Sequence, residues 1–259
     1  MPETSSVLEQ NGLGVTERRD AWWIGPLLTF LGLTTFGIYS TWAALEGRHY
    51  ESGPYLSPFY SPNVKEMFGW NPPFSFAFLI LWIPLGFRAT CYYYRKAYYR
   101  SYFMDPPACA VGEPKSRNYK GEGSFPFILQ NIHRYFFYLA TVILAFLWYD
   151  AVRAFFFLDT ATGKAHVGVG VGTLVLLINV IMLSGFSFGC NSLRHLIGGK
   201  LDCFTCSATK RMRYKLWGGV SILNLRHMEW AWISLFTVGF ADLYVRLCSM
   251  GIWKDIRLF

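Results

Sequence analysis

The chain has 259 residues, of which 53% are hydrophobic, 19% aromatic and only 15% charged. Soluble domains carry about 25% charged residues, so this composition excludes an ordinary water-soluble globule and points to a membrane protein. The formal net charge of +8 does not mark a nucleic-acid binder, because the basic residues cluster beside apolar spans, where they orient a chain in a bilayer.

In chain order, the first twenty residues, MPETSSVLEQNGLGVTERRD, are polar and lack the apolar centre of a secretory signal. They read as a cytoplasmic N-terminal segment (1–20) before one transmembrane helical bundle domain (21–259). Five segments are long enough to cross roughly 30 Å of hydrocarbon as helices. They run over Ala21–Leu45, Phe74–Tyr94, Ile128–Phe157, Val167–Cys190 and His227–Met250. The fold class expected is therefore all-α, a five-span membrane bundle with no internal repeat. The segment from Arg88 to Arg134 holds eight Lys and Arg residues, and Arg194 to Arg226 holds seven. The segments Arg48–Lys65 and Arg153–Lys164 hold two each. The positive-inside rule then places the N-terminus in the cytoplasm and the C-terminus outside. The external loop HYESGPYLSPFYSPNVKEMFGWNPP, rich in Pro, Gly and Tyr, is expected as an ordered cap without long regular structure. The cytoplasmic loop MDPPACAVGEPKSRNYKGEG is a candidate docking surface.

The chemistry-bearing residues gather on the expected cytoplasmic side. Cys190, His195, Cys203 and Cys206 lie within GCNSLRHLIGGKLDCFTC, and His133 and His227 open the spans on either side. Thiols on that side stay reduced, which favours metal binding over disulfides. Two thiolates with two imidazoles form the ligand set of a Rieske-type [2Fe-2S] centre, in which two histidines replace two cysteines on one iron. The first-choice ligands are Cys203, Cys206, His195 and His227, with Cys190, Cys109 and His133 in reserve. The usual Rieske spacing is absent, so the ligands would come from several helices and a loop. Structural zinc uses the same residue types. A b-type haem held by His133 and His227 is the other redox option; a second haem would need His49 and His166, which lie in loops.

Polar residues inside the spans are functional candidates by default. Arg88 could anchor a quinone carbonyl or snorkel to the interface. Asp242 and Arg246, four apart, should pair, and Asp150 and Arg153 read as structural. Trp230 and Trp232 fit an aromatic belt or a stacking surface for a quinone. No Walker A pattern, G-x-S-x-G elbow or H-E-x-x-H is present, so hydrolysis by this chain alone is not expected.

The five spans, the Cys/His cluster and the runs FRATCYYYRKAYYR, MDPPACAV, NSLRHLIGGKLDCFTC and LRHMEWAW together resemble the membrane-anchor, C-type subunit of a bacterial succinate dehydrogenase lineage. The resemblance runs from about Trp22 to about Cys248. It implies a multi-pass protein of the bacterial plasma membrane that docks a flavoprotein and an iron–sulfur subunit on its cytoplasmic face. Electrons from succinate would then pass through FAD and iron–sulfur clusters to quinone. Many five-span anchors carry four haem histidines, and this chain lacks an obvious set, which favours the iron–sulfur centre. The quinone site implied lies near it, lined by some of Arg88, Tyr92, His133, Trp230 and Trp232. A transporter or channel with structural zinc, and a purely structural anchor, are the competing readings.

Overall fold

The computed structural model describes residues 12–69, 73–113, 123, 127–158 and 163–259. The lead-in is therefore described only from Gly12. Most of the second half of the candidate docking loop, residues 114–122, lies outside the described residues. Helices dominate: α1 (Ile24–Glu46), α2 (Val64–Phe68), α3 (Ala77–Ala89), α4 (Tyr92–Tyr98), α5 (His133–Arg153), α6 (Val171–Phe188), α7 (Asn191–Gly198), α8 (Ala208–Leu225) and α9 (His227–Ser249). Two short antiparallel ribbons join them, β1 (Glu51–Ser52) with β2 (Tyr55–Leu56) and β3 (Phe156–Leu158) with β4 (Ala165–Val167).

Among the described residues, four helices, α1, α5, α6 and α9, are long and apolar enough to cross a membrane. Large apolar side chains on α1 stay exposed, Leu28 at 62% and Ile38 at 68%. Such a surface has no place in water and suits a lipid solvent. The expected second span differs. Its helix α3 has only 13 residues, about 20 Å at 1.5 Å per residue. Pro84 lies inside it, and Cys91 takes an extended conformation (φ −67°, ψ 130°) that stops it before α4 restarts at Tyr92. A π-helical turn, Tyr99–Phe103, then continues the aromatic-basic run. Hydropathy registered one apolar stretch, whereas the backbone breaks it in two. The basic stretch before the last span forms α8, whose N-terminus is capped by Ser207 accepting from the Lys210 N–H at 3.2 Å.

The chain divides into two compact units, one of residues up to Ile38 with Gly86–His133, the other of Tyr39–Leu85 with Arg134–Phe259. In the first, the segment after Gly12 pairs with the segment before Glu113 (Gly14 N–H to Gly112 O, 3.1 Å), and Tyr102 packs on Phe30 with ring centroids 4.8 Å apart. In the second, α6 and α9 pack around Leu176, Ala241 and Val245, which join Tyr55, Ala154 and Phe157 in one buried cluster. The described part of the Pro/Gly/Tyr-rich loop after α1, residues 49–69, is tied down by buried polar contacts. Ser57 donates to Asp242, Ser61 donates to Asp150, and Tyr39 donates to Asp242 at 2.5 Å. The expected Asp242–Arg246 pair is present at 3.4 Å. Arg246, 1% exposed, also pairs with Glu46 and donates to the Arg48 carbonyl at 2.9 Å. Arg153 bonds Glu66 at 3.4 Å.

Candidate functional site

Two segments, one in each unit, share the pattern G-F-x-x-x-C-x-x-x-R: Gly86, Phe87, Cys91 and Arg95, then Gly185, Phe186, Cys190 and Arg194. This repeat escapes a search by hydropathy, because its four fixed residues are spread over ten positions and the residues between them differ. The backbone repeats as well. Each cysteine follows the end of an apolar helix and serves as N-cap of a short one, with φ −67°, ψ 130° at Cys91 and φ −69°, ψ 141° at Cys190. Both thiols are buried, at 3% and 2% exposure.

In the first unit, His133 opens α5 and its ring stacks on Phe87, centroids 4.9 Å apart and planes 9° from parallel. Its Nδ1 lies 2.8 Å from Thr90 Oγ1. Thr90 in turn donates to the Gly86 carbonyl at 2.7 Å. Arg88 donates to the Tyr94 hydroxyl and sits over that ring at 5.4 Å. Arg95 lies 4.7 Å above Tyr92.

In the second unit, His227 opens α9 and stacks on Phe186, centroids 5.1 Å apart and planes 15° from parallel. One turn on, Trp230 lies across Gly185. A Cβ there would fall 2.6 Å from the indole, so only glycine lets the ring seat. The indole Nε1–H is buried and meets no hydrogen-bond partner among the described residues. Cys190 accepts from the Ser192 N–H at 3.4 Å. Arg194 donates to Ser221 at 3.1 Å and lies 4.9 Å above Trp217.

Among the described residues, no three His, Cys, Asp or Glu side chains are grouped to hold a metal ion. Cys203 and Cys206 are joined to each other as a disulfide, with Cα atoms 5.8 Å apart, which removes both thiolates from the first-choice Rieske set. The reason is local: a C-x-x-C turn brings its two sulfurs to one another as readily as to a metal. His195 sits in the last turn of α7 and its carbonyl caps Gly199. Cys109 is exposed, and its carbonyl takes a bond from Arg18 at 2.8 Å. The set Cys203, Cys206, His195 and His227 therefore does not fit a [2Fe-2S] cluster here. The residues that are buried and similarly built are Cys91 with His133 and Cys190 with His227. Cys91 escaped the sequence reading; the repeat was the signal for it.

Of the expected quinone residues, Arg88 is turned to Tyr94 and Tyr92 is 70% exposed beneath Arg95. Trp230 and Trp232 stand about 200° apart on α9. Trp230 faces α6, while Trp232 stacks on Phe236 at 6.2 Å, so the two do not line one pocket.

Residues 24–251 match the family described as actinobacterial succinate dehydrogenase subunit SdhC. A chain of the Mycobacterium smegmatis Sdh1 complex in the apo form is 44% identical, with 94% of each chain aligned and a TM-score of 0.83. No curated protein matches.

Proposed function

The chain belongs to the actinobacterial succinate dehydrogenase SdhC family, and from that membership we propose that it anchors a flavoprotein and an iron–sulfur subunit to the membrane and delivers their electrons to quinone. It is a subunit of an enzyme complex and a multi-pass protein of the bacterial plasma membrane. Succinate oxidation belongs to the partner subunits; the work of this chain is to bind quinone where electrons arrive.

The single observation that carries the quinone reading is the buried Trp230 Nε1–H without a partner among the described residues. A buried donor left unpaired costs about 1–3 kcal/mol. Such a group is retained where an incoming acceptor pairs with it, and a quinone carbonyl is an acceptor with a flat apolar body. Trp230 lies in the first turn of α9, next to the stacked His227 and behind the basic segment Arg194–Arg226, which the positive-inside rule assigns to the cytoplasm. Electrons from a cytoplasmic iron–sulfur subunit reach the membrane on that side. The basic surface there, including Lys210, Arg211 and Lys215 on α8, suits an acidic partner.

Each unit by itself offers one buried thiol and one stacked imidazole, Cys91 with His133 and Cys190 with His227. These are donor classes of iron–sulfur and haem centres, and such a group would supply one-electron transfer. The chain's own contribution is to keep the thiols out of water and to fix the imidazole planes against Phe87 and Phe186.

The test uses the membrane complex purified through this chain. Co-purification of flavoprotein and iron–sulfur subunits, with succinate-driven reduction of a soluble quinone, is expected. A complex that oxidises succinate with a soluble dye but never reduces quinone refutes the quinone-site reading. Reduced-state electron paramagnetic resonance (EPR) spectra of Cys91→Ser and Cys190→Ser complexes test the donor assignment, since loss of a signal from this chain is expected in both.

A further inference from the structure

Between the loop after α1 and the end of α5 lies a cavity of about 450 Å³, within the range of small-molecule sites, about 300–1,000 Å³. Its whole lining belongs to the second unit. The charged residues in it are Glu51 on β1, Lys65 and Glu66 on α2, and Asp150 and Arg153 in the last turn of α5, with Asn63 beside them. Three carboxylates thus face two cations, and only part of this charge is paired. Arg153 reaches Glu66 at 3.4 Å, and Asn63 donates to Glu51 at 2.6 Å. Asp150 is 8% exposed. One of its oxygens accepts from Ser61, and no basic side chain forms an ion pair with it among the described residues. The Lys65 ammonium makes no hydrogen bond or ion pair among the described residues either. A carboxylate withdrawn from water without a counter-charge is costly. The cavity therefore suits an ammonium at Asp150 and Glu51 together with an anion at Lys65. Among the described residues these carboxylates are not grouped to hold a metal ion, which points to an organic cation.

The position of the cavity says where such a molecule comes from. Helix α5 has 21 residues, about 30 Å at 1.5 Å per residue, which matches the hydrocarbon core of a bilayer. Its last turn therefore emerges at the level of the lipid headgroups. Next in sequence to the lining residues, Met67 and Phe68 on α2 and Val152 on α5 are exposed, a surface suited to acyl chains rather than water. We propose that this cavity binds the headgroup of a phosphatidylethanolamine, its primary ammonium at Asp150 and Glu51 and its phosphate at Lys65. A choline headgroup has the same charges but no N–H to donate, and a glycerol headgroup brings the phosphate without the cation. The site is independent of the quinone reading, and the failure of one leaves the other standing.

The experiment takes the whole complex, stripped of lipid in detergent, as wild type, Lys65→Ala and Glu51→Gln. Both positions are exposed, so neither change disturbs the core. Native mass spectrometry counts bound lipid as phosphatidylethanolamine, phosphatidylcholine or phosphatidylglycerol is titrated in, and the difference between wild type and variants isolates this cavity from other lipid sites. Expected is tighter binding of phosphatidylethanolamine than of the other two by wild type. Each substitution should lower that affinity about two- to fivefold, the scale of one exposed ion pair. Lys65→Ala should weaken phosphatidylglycerol as well, while Glu51→Gln should not. Equal binding of the three lipids by wild type, or phosphatidylethanolamine binding that either substitution leaves unchanged, overturns the proposal. A Glu51→Gln complex that loses phosphatidylglycerol to the same extent overturns the placement of the ammonium. Free O-phosphoethanolamine that displaces the lipid at comparable concentration overturns the lipid assignment and makes the cavity a site for a soluble zwitterion.

Discussion

Replacing Trp230 by Phe separates a binding role from a structural one, because the two give effects of opposite sign. The indole N–H is buried without a partner among the described residues, so in the empty complex its removal relieves about 1–3 kcal/mol of desolvation. The smaller ring leaves a void against Gly185 that costs a comparable amount. The net change is small, and the melting temperature should stay within roughly 5 °C of wild type. With quinone bound, the same substitution removes one hydrogen bond worth about 0.5–1.5 kcal/mol, which is roughly 2- to 12-fold in affinity. The assay compares succinate-driven reduction of a soluble dye with that of a short-chain quinone on one preparation. Dye reduction should be unchanged, while the quinone KM rises about 3- to 10-fold. Unchanged quinone kinetics refute the assignment of Trp230. A parallel loss of both activities shows that Trp230 holds the assembly together instead.

Gly185→Ala puts a methyl group 2.6 Å from the Trp230 ring; the overpacking should cost about 1–3 kcal/mol, lower the melting temperature and weaken quinone reduction more than dye reduction. Arg246→Ala leaves Asp242, 0% exposed, without its guanidinium. Loss of one partner from a buried pair costs about 3–5 kcal/mol, and reduced yield of assembled complex in membranes is the readout. Changing Cys203 and Cys206 together to Ser should leave visible and EPR spectra of the complex as they are, because those sulfurs bond each other; loss of a signal would restore them as ligands. Burial pushes the Tyr55 hydroxyl up to about 12, helped by its bond to Asp255. A raised acid ionises first in the unfolded chain, so its stabilisation is present below pH 10 and fades as pH rises toward 12. The gap in thermal stability between wild type and Tyr55→Phe should therefore close over that window.

Membrane insertion was legible in the sequence because it depends on sums. Four of five spans follow from apolar length alone, and the family follows from strings such as NSLRHLIGGKLDCFTC that need no geometry. The Asp242–Arg246 pair was legible too, since four residues on a helix always share a face. The second span is not confirmed at its full length, because hydropathy averages over Cys91, where the helix is interrupted. The ligand set failed for a related reason. Proximity along the chain put Cys203 and Cys206 together, but it also let them bond each other, and His195 was committed to a short helix end. The paired stacks of His133 on Phe87 and His227 on Phe186 join residues 46 and 41 positions apart (133 − 87 and 227 − 186). Nothing local encodes such contacts. The sequence by itself determined the solvent, the family and the inventory of thiols and imidazoles. Only the tertiary structure decided which of them are buried, because burial depends on which distant helix ends pack together.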